Sequence, residues 1–324
     1  MDDLITHHLL FTTEVVTPLE LDEHSGAALR GNLFEAVWKR FCTNKAAPTC
    51  AECPLHTLCP VSALVAPLRE EHPRGRDIPR PYSIVPPLEG ARYYAPEEQL
   101  TFGLTLFGNI IQFLPYIMLS LNLFEAVGLG KRIQGQNGRR GQFKIKEVKS
   151  YHPLSGEQQK IYQAGKAQVD TSTLAVTAVD VQAKAATLAK EKITLNFLTP
   201  TRIKDQEQLL RHATFRPLIQ RLLERFSVLR VEYGNGQEQS YEEKKHYADL
   251  AQQVRCINDA TYWEQLSSYS SRSKQISSIG GIMGSATFSG DLTPFHELLV
   301  WGELIHVGKN CVKGNGWYRI EEQG

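Results

Sequence analysis

An α+β protein built from two tandem copies of one βαββαβ plan is what this sequence of 324 residues predicts. Three observations carry that reading. The order strand, helix, glycine-containing β pattern, helix, strand runs through residues 7–148 and again through 192–322. Each copy opens on a strand-like run that contains Thr-Pro. Each closes on a glycine-rich basic turn followed by a strand. Such a unit is the ferredoxin-like, or RRM-like, arrangement: a four-stranded sheet with two helices on one face and the other face free.

In the first copy, HHLLFTTEVVTPLEL (7–21) is the opening strand, and Ser25 is placed to cap a helix whose apolar stripe is Leu29, Leu33, Val37 and Phe41. EEQLTFGLTLFGN (97–109) supplies the glycine-containing hairpin, IIQFLPYIMLSLNLFEAVG the second helix, and GLGKRIQGQNGRRGQFKIKEV (128–148) the closing turn and strand. The second copy repeats the order. KITLNFLTPTRIK (192–204) is its first strand, and Leu218, Leu222, Leu223 and Phe226 mark its first helix. SKQISSIGGIMGSATFSGD (273–291) is its hairpin, TPFHELLVWGELIHVG its last helix with Phe295, Leu298, Leu299, Gly302 and Ile305 inward, and GKNCVKGNGWYRIEE (308–322) its closing turn and strand. The domains so defined are 1–150 and 191–324, joined by a linker over 151–190 that carries a peripheral strand or helix. Residues 61–87 read as an irregular proline-rich strap and 240–268 as an inserted helical excursion; VEYGNG (231–236) is a turn.

Hydrophobic residues make up 42% of the chain, enough for a core in each domain. The start, MDDLITHHLL, is acidic where a secretory signal is basic, and no apolar run approaches the ~18 residues that cross a bilayer. The expectation is a folded cytoplasmic protein with no membrane partner. A formal net charge of +1 conceals an island, because Lys131 to Lys149 carries seven basic residues, Arg139 and Arg140 among them, against one acidic residue. A local basic surface of this kind binds polyanions while the whole chain stays near neutral.

Four of the six cysteines crowd into CTNKAAPTCAECPLHTLC, where Cys42, Cys50, Cys53 and Cys59 have the spacing C-x7-C-x2-C-x5-C. Without a secretory signal a disulfide framework is disfavoured, and a metal explains the crowding better. A C-x2-C pair brings two thiolates to one ion from a tight turn, and the outer pair completes the tetrahedron of a structural zinc site. An iron–sulfur cluster takes the same four thiolates. His56 lies between the last two and can replace one as ligand, and four reduced thiols are the plainest alternative. A closed site has no open coordination position, so it stiffens a loop and does no chemistry.

LRGNLFEAVWKRFC followed by the cysteine segment, then PRPYSIVPP, LNFLTPTRIK and the terminal GDLTPFHELLVWGELIHVGKNCVKGNGWYRI, is an order that resembles the CRISPR-associated endoribonucleases that process precursor CRISPR RNA. These are tandem ferredoxin-like RNA binders of the RAMP superfamily. The resemblance spans most of the chain, leaving out the linker and 240–268, and the terminal glycine-rich loop is its most specific part. It implies cleavage within CRISPR repeats without a catalytic metal: the 2′-hydroxyl beside the scissile bond attacks its own phosphate, leaving a 2′,3′-cyclic phosphate and a 5′-hydroxyl. The implied partners are the precursor CRISPR RNA repeat and, for relatives resident in complexes, other CRISPR effector subunits. Two other classes stay open: a RAMP subunit that holds CRISPR RNA without cutting it, and a zinc-bearing interaction or DNA-binding module resting on the cysteines.

Such cleavage needs a base, an acid and stabilisation of charge, and histidine suits the first two because its pKa lies near working pH. The family carries its catalytic histidine near the first helix, which makes His24 the match here. His306, at the edge of the last helix's apolar stripe, is the second candidate. Lys309 is the first choice for charge, ahead of Arg30 and Lys39 on the first helix. In the loop, Gly308, Gly314 and Gly316 permit backbone angles that side chains resist, exposed amides can bind phosphate oxygens, and Lys309 and Lys313 supply charge. The same stretch taken alone also reads as a helix C-cap and hairpin. Replacing Gly314 or Gly316 by a β-branched residue is expected to harm RNA binding more than folding. Arg202 follows the second Thr-Pro, and SYSSRSKQISSIGG (268–281) adds hydroxyls with Arg272 and Lys274, groups suited to the base of an RNA stem.

Overall fold

The computed structural model describes residues 4–67, 78–166, 168–171, 173–270 and 275–321. The chain divides into two units, one spanning Ile5–Ala175 and the other chiefly Val176–Gly324. Both are α+β with antiparallel main sheets.

In the first unit the strand Thr6–Val15 buries Leu9, Phe11, Thr13 and Val15 and leaves Leu10, Thr12 and Glu14 partly exposed. That is the period-two signature of a sheet covered on one face. Gln99–Phe107 pairs on one side, with His8 opposite Thr105, and Phe143–Tyr151 on the other, with His8 opposite Tyr151. The helix Gly26–Phe41 buries Leu29, Leu33 and Val37 as its spacing predicts, each worth ~1.5–3 kcal/mol. Phe41 is only half-buried, edge-on to Tyr116, and the Ser25 side chain makes no capping bond.

Several sequence expectations need correction here. Tyr82–Val85, read as part of an irregular strap, is a strand on the outer side of Gln99–Phe107; the strap's residues 68–77 lie outside the described residues. Residues 97–109 are therefore not a hairpin by themselves but one strand of a long-range pair. The single apolar helix expected over Ile110–Gly128 is broken into Leu114–Leu119 and Leu121–Val127. Pro115 stands at the start of the first, and the Ser120 hydroxyl donates back to the Tyr116 carbonyl at 2.8 Å, a bond that competes with the helical ladder and bends it. The linker contains an edge strand, Gln158–Gln163, paired with Phe143–Tyr151, and a helix, Ala178–Ala185.

In the second unit Lys192–Thr201 is central, between Gly281–Ser289 and Tyr318–Glu321. Arg255–Glu264 lies outside Gly281–Ser289, so the stretch expected to be a helical excursion is helical only over Tyr241–Ala251 and then supplies a strand of the main sheet. In both main sheets, then, the first strand sits between the third and the fourth and the second takes the place beside the third. Leu218, Leu222, Leu223 and Phe226 are buried on the helix Phe215–Tyr233. The helix His296–Ile305 packs closely at Gly302: the Tyr318 hydroxyl occupies the place of a Cβ there and donates to the Leu299 carbonyl at 2.7 Å. No single helix among the described residues is long and apolar enough to cross a bilayer.

Candidate nucleic-acid interface

The glycine-rich loop begins where the helix His296–Ile305 ends. His306 (φ 64°), Gly308 (85°), Asn310 (65°), Gly314 (84°) and Gly316 (74°) all take left-handed backbone angles. The loop is laced to the first strand of its own unit. The Lys309 amide donates to the Arg202 carbonyl at 3.0 Å, the Gly316 amide to Pro200 at 3.1 Å, and the Trp317 amide to the Thr199 hydroxyl at 2.8 Å. The buried Asn315 amide group donates to the carbonyls of Pro200 and Ile279 at 3.1 and 2.8 Å. Pro200 explains the arrangement: the strand register breaks between Phe197 and Thr201, which frees a carbonyl to receive two donors from the loop.

Two expectations about this loop change. The amides of Lys309, Lys313, Gly314 and Gly316 face acceptors of the protein itself and are not open to phosphate. A Cβ on Gly316 would strike the Val307 carbonyl, and one on Gly308 the Arg202 carbonyl, so these glycines answer to the fold and not to a ligand's approach. What the loop offers outward is charge: Lys309 is exposed and Lys313 half-buried.

His306 is 1% exposed, its Nδ1 donates to the Asn315 carbonyl at 3.2 Å, and its ring stacks on Trp317 at 6.1 Å and 12°. It fastens the loop from inside. His7, His8, His152 and His296 are buried as well. His8 holds hydroxyls on both ring nitrogens, from Thr6 at 2.9 Å and Thr105 at 3.0 Å. His7 meets the Thr173 hydroxyl at 2.8 Å, and burial pushes its pKa down to about 4. His24, two residues before the helix Gly26–Phe41, is half-exposed, as is His56; His212 and His246 are exposed. His72, Arg272 and Lys274 lie outside the described residues.

In the first unit the lysines of the basic island are each paired with an acid, most of these from elsewhere in the chain. Lys131 pairs with Glu20 and Asp22, Lys144 with Glu125, Lys146 with Glu14, and Lys149 with Glu147. Arg140 reaches the Asn32 side chain at 3.5 Å, while Arg139 is exposed. On the first helix Lys39 is paired with Glu35 at 2.6 Å, and the Arg30 guanidinium lies over Phe34 at 5.6 Å. An uncompensated basic surface over Lys131–Lys149 is therefore not what the fold builds.

A cluster in the second unit escaped the sequence reading. Arg202 donates to the Gly280 carbonyl at 3.0 Å and the Ser278 hydroxyl at 3.3 Å, and its guanidinium lies 5.8 Å from the centre of the Trp263 ring. Arg211 stacks on the same ring at 3.9 Å. Beside it His212 meets Asp259 at 3.2 Å. Burial alone would raise the Asp259 pKa, but the Thr261 hydroxyl and amide and the neighbouring His212 bring it below the usual carboxylate range. The signal was the aromatic and β-branched content of RCINDATYWE, obscured by the helical pattern just before it.

Cys42, Cys50, Cys53 and Cys59 are all partly exposed, on turns between the helices Gly26–Phe41 and Pro60–Val65. The Cys53 amide donates to Cys50 at 3.4 Å, and the Asn44 side chain donates to the Cys53 sulfur at 3.6 Å. Among the described residues no three His, Cys, Asp or Glu side chains converge as a metal's ligands do.

Residues 4–174 match the family model AF_1859_N, described as an N-terminal domain, and residues 195–318 match that of the CRISPR-associated endoribonuclease Cas6. An uncharacterized protein of Archaeoglobus fulgidus is 24% identical over 299 residues, 91% of each chain. Among solved structures, a Thermus thermophilus Cas6 aligns over 98% of this chain and 99% of its own at 13% identity and a TM-score of 0.54. A partial Cas6-RT-Cas1–Cas2 complex aligns over 99% of this chain at 15% identity and a TM-score of 0.59, the present chain spanning 46% of that longer one. At such identities the structural likeness speaks for the fold, while the sequence models speak for descent. The chain therefore joins an amino-terminal domain of the AF_1859_N family, residues 4–174, to a domain of the CRISPR-associated endoribonuclease Cas6 family, residues 195–318.

Proposed function

We propose that this protein matures CRISPR RNA by cutting precursor transcripts within their repeats, using two tandem ferredoxin-like units. The strand order common to the two main sheets supports the tandem reading. The observation that carries the function is the laced glycine-rich loop inside the Cas6-matched stretch, which holds exposed Lys309 beside Arg202, just past the end of Lys192–Thr201. A fixed loop presenting cations suits a phosphate backbone.

In this reading His24 serves as general base or acid for attack of the 2′-hydroxyl on the adjacent phosphate, giving 2′,3′-cyclic phosphate and 5′-hydroxyl ends. His24 is favoured because it combines partial exposure with a place at the first helix, whereas His306 is sealed behind Trp317. The reaction draws on no metal. The cysteine segment is proposed as a zinc site on spacing alone, outside the chemistry. By analogy with the complexes its relatives form, other CRISPR subunits are proposed partners.

Incubating the purified chain with end-labelled repeat RNA in EDTA, and mapping the ends, tests the proposal. One cut with a cyclic phosphate is expected. Tight binding without a cut would favour a subunit that only holds the RNA. Cleavage that disappears in EDTA while the fold survives would remove the mechanism.

A further inference from the structure

We propose that Trp263 and Arg211 form a stacking platform for an unpaired nucleobase, reached by a single-stranded stretch of RNA that continues past the glycine-rich loop. The inference rests on the RNA-binding reading above and adds a site to it. Trp263 sits near the end of Arg255–Glu264, and its indole N–H donates to the Gln265 side chain at 3.1 Å, which fixes the ring. The Arg211 guanidinium carbon lies over that ring, 3.9 Å from its centre. Among the described residues Arg211 has no carboxylate partner, and it is exposed.

A guanidinium stacked on an indole keeps its N–H donors in the stacking plane, directed outward. Such a pair can extend its stack with a base and bind the adjoining phosphate through those donors. Continuity with the loop comes through Arg202. Its carbonyl receives the Lys309 amide at 3.0 Å, and its side chain approaches the Trp263 ring. Exposed His212 stands next to Arg211, and Asp259 is engaged with His212 and Thr261. Cations around a fixed aromatic ring favour a nucleic acid over an acidic peptide, because the flat stack has a use only for a flat ligand.

The test uses the full chain and two fluorescein-labelled probes of about ten nucleotides: a single-stranded oligoadenylate, and an abasic ribose-phosphate strand of the same length and charge. Trp263→Ala should weaken oligoadenylate binding roughly 5- to 150-fold, the worth of one stacked base, and leave the abasic strand's affinity unchanged. Trp263→Phe should restore most of the loss. Arg211→Lys, which keeps the charge and loses the plane, should weaken oligoadenylate selectively. Unfolding temperatures of all three variants separate a lost platform from a damaged sheet edge, and the Phe and Lys forms decide the matter if the Ala form is unstable. Oligoadenylate bound equally by parent, Trp263→Phe and Arg211→Lys, with any loss in Trp263→Ala matched by the abasic strand, would overturn the proposal and leave the stack as a protein-facing surface. A parent that binds repeat RNA but neither probe would also overturn it while sparing the Cas6 reading. A parent that binds no repeat RNA would remove both.

Discussion

Val307 and Gly316 clasp the neck of the glycine-rich loop: the Val307 amide donates to the Gly316 carbonyl at 2.9 Å, and the Val307 carbonyl fills the space into which a Cβ on Gly316 would project. With φ at 74° the position is strained for any L side chain as well. Gly316→Val should therefore lower stability by roughly 3 kcal/mol and the unfolding temperature by several degrees. Thermal unfolding measures it. A variant as stable as the parent but deficient in RNA binding would restore the view that the glycine serves the ligand.

Lys309 offers the complementary case, since it is exposed and its backbone already holds the loop. Lys309→Ala should leave stability nearly unchanged and weaken repeat RNA across sequences. The slope of log affinity against log salt should become shallower by a little under one. Titrations at several salt concentrations report the slope, and an unaltered slope would mean that no phosphate lies there.

For His24 the readout is rate. His24→Ala should slow cleavage in EDTA by about a hundred- to ten-thousand-fold, the usual worth of a general acid or base, with little change in RNA affinity. Single-turnover kinetics at saturating protein separate the two. Full activity in this variant would pass the role to another exposed histidine.

His7 supplies a pH dependence. Its pKa is 6.5 in an ordinary setting and about 4 in the folded unit, because burial disfavours the charged ring. Between those values the unfolded chain binds a proton that the folded chain does not. The contribution is thus whole above the ordinary value and is lost as pH falls towards the lower one, up to about 3 kcal/mol. Denaturant unfolding at neutral and mildly acidic pH should show this loss in the parent and much less of it in His7→Asn. Equal acid sensitivity in both would assign the effect to other groups.

The cysteines are tested by metal analysis of protein purified without chelator. About one zinc per chain is expected, with Cys50→Ser and Cys53→Ser losing metal and stability together. A brown protein would indicate iron–sulfur instead. Absence of both would leave four reduced thiols, the plainest alternative.

Local patterns in the sequence were enough for the helices Gly26–Phe41 and Phe215–Tyr233 and for the opening strands. Leu29, Leu33 and Val37, or Leu218, Leu222 and Phe226, announce their faces by spacing alone. What stayed hidden was pairing at long range. Nothing near Tyr82–Val85 says that it will lie beside Gln99–Phe107, and the prolines that flank it argue for an irregular segment. Arg255–Glu264 was obscured in the same way, and with it the Arg211–Trp263 stack, whose partners are far apart in the chain. Charge showed the opposite failure. Lys131 to Lys149 looked uncompensated because Glu20, Asp22, Glu125 and Glu14 are remote in sequence and adjacent only after folding.

The lacing of the glycine-rich loop to Pro200, Arg202 and Thr199 bears on how quickly a ligand can be caught. A loop already tied at both ends has few alternative shapes to abandon when a polyanion arrives, so little ordering entropy opposes capture. Encounter then needs no wait for a rare competent shape, and the association rate is governed by diffusion and by the field of Lys309 and its neighbours.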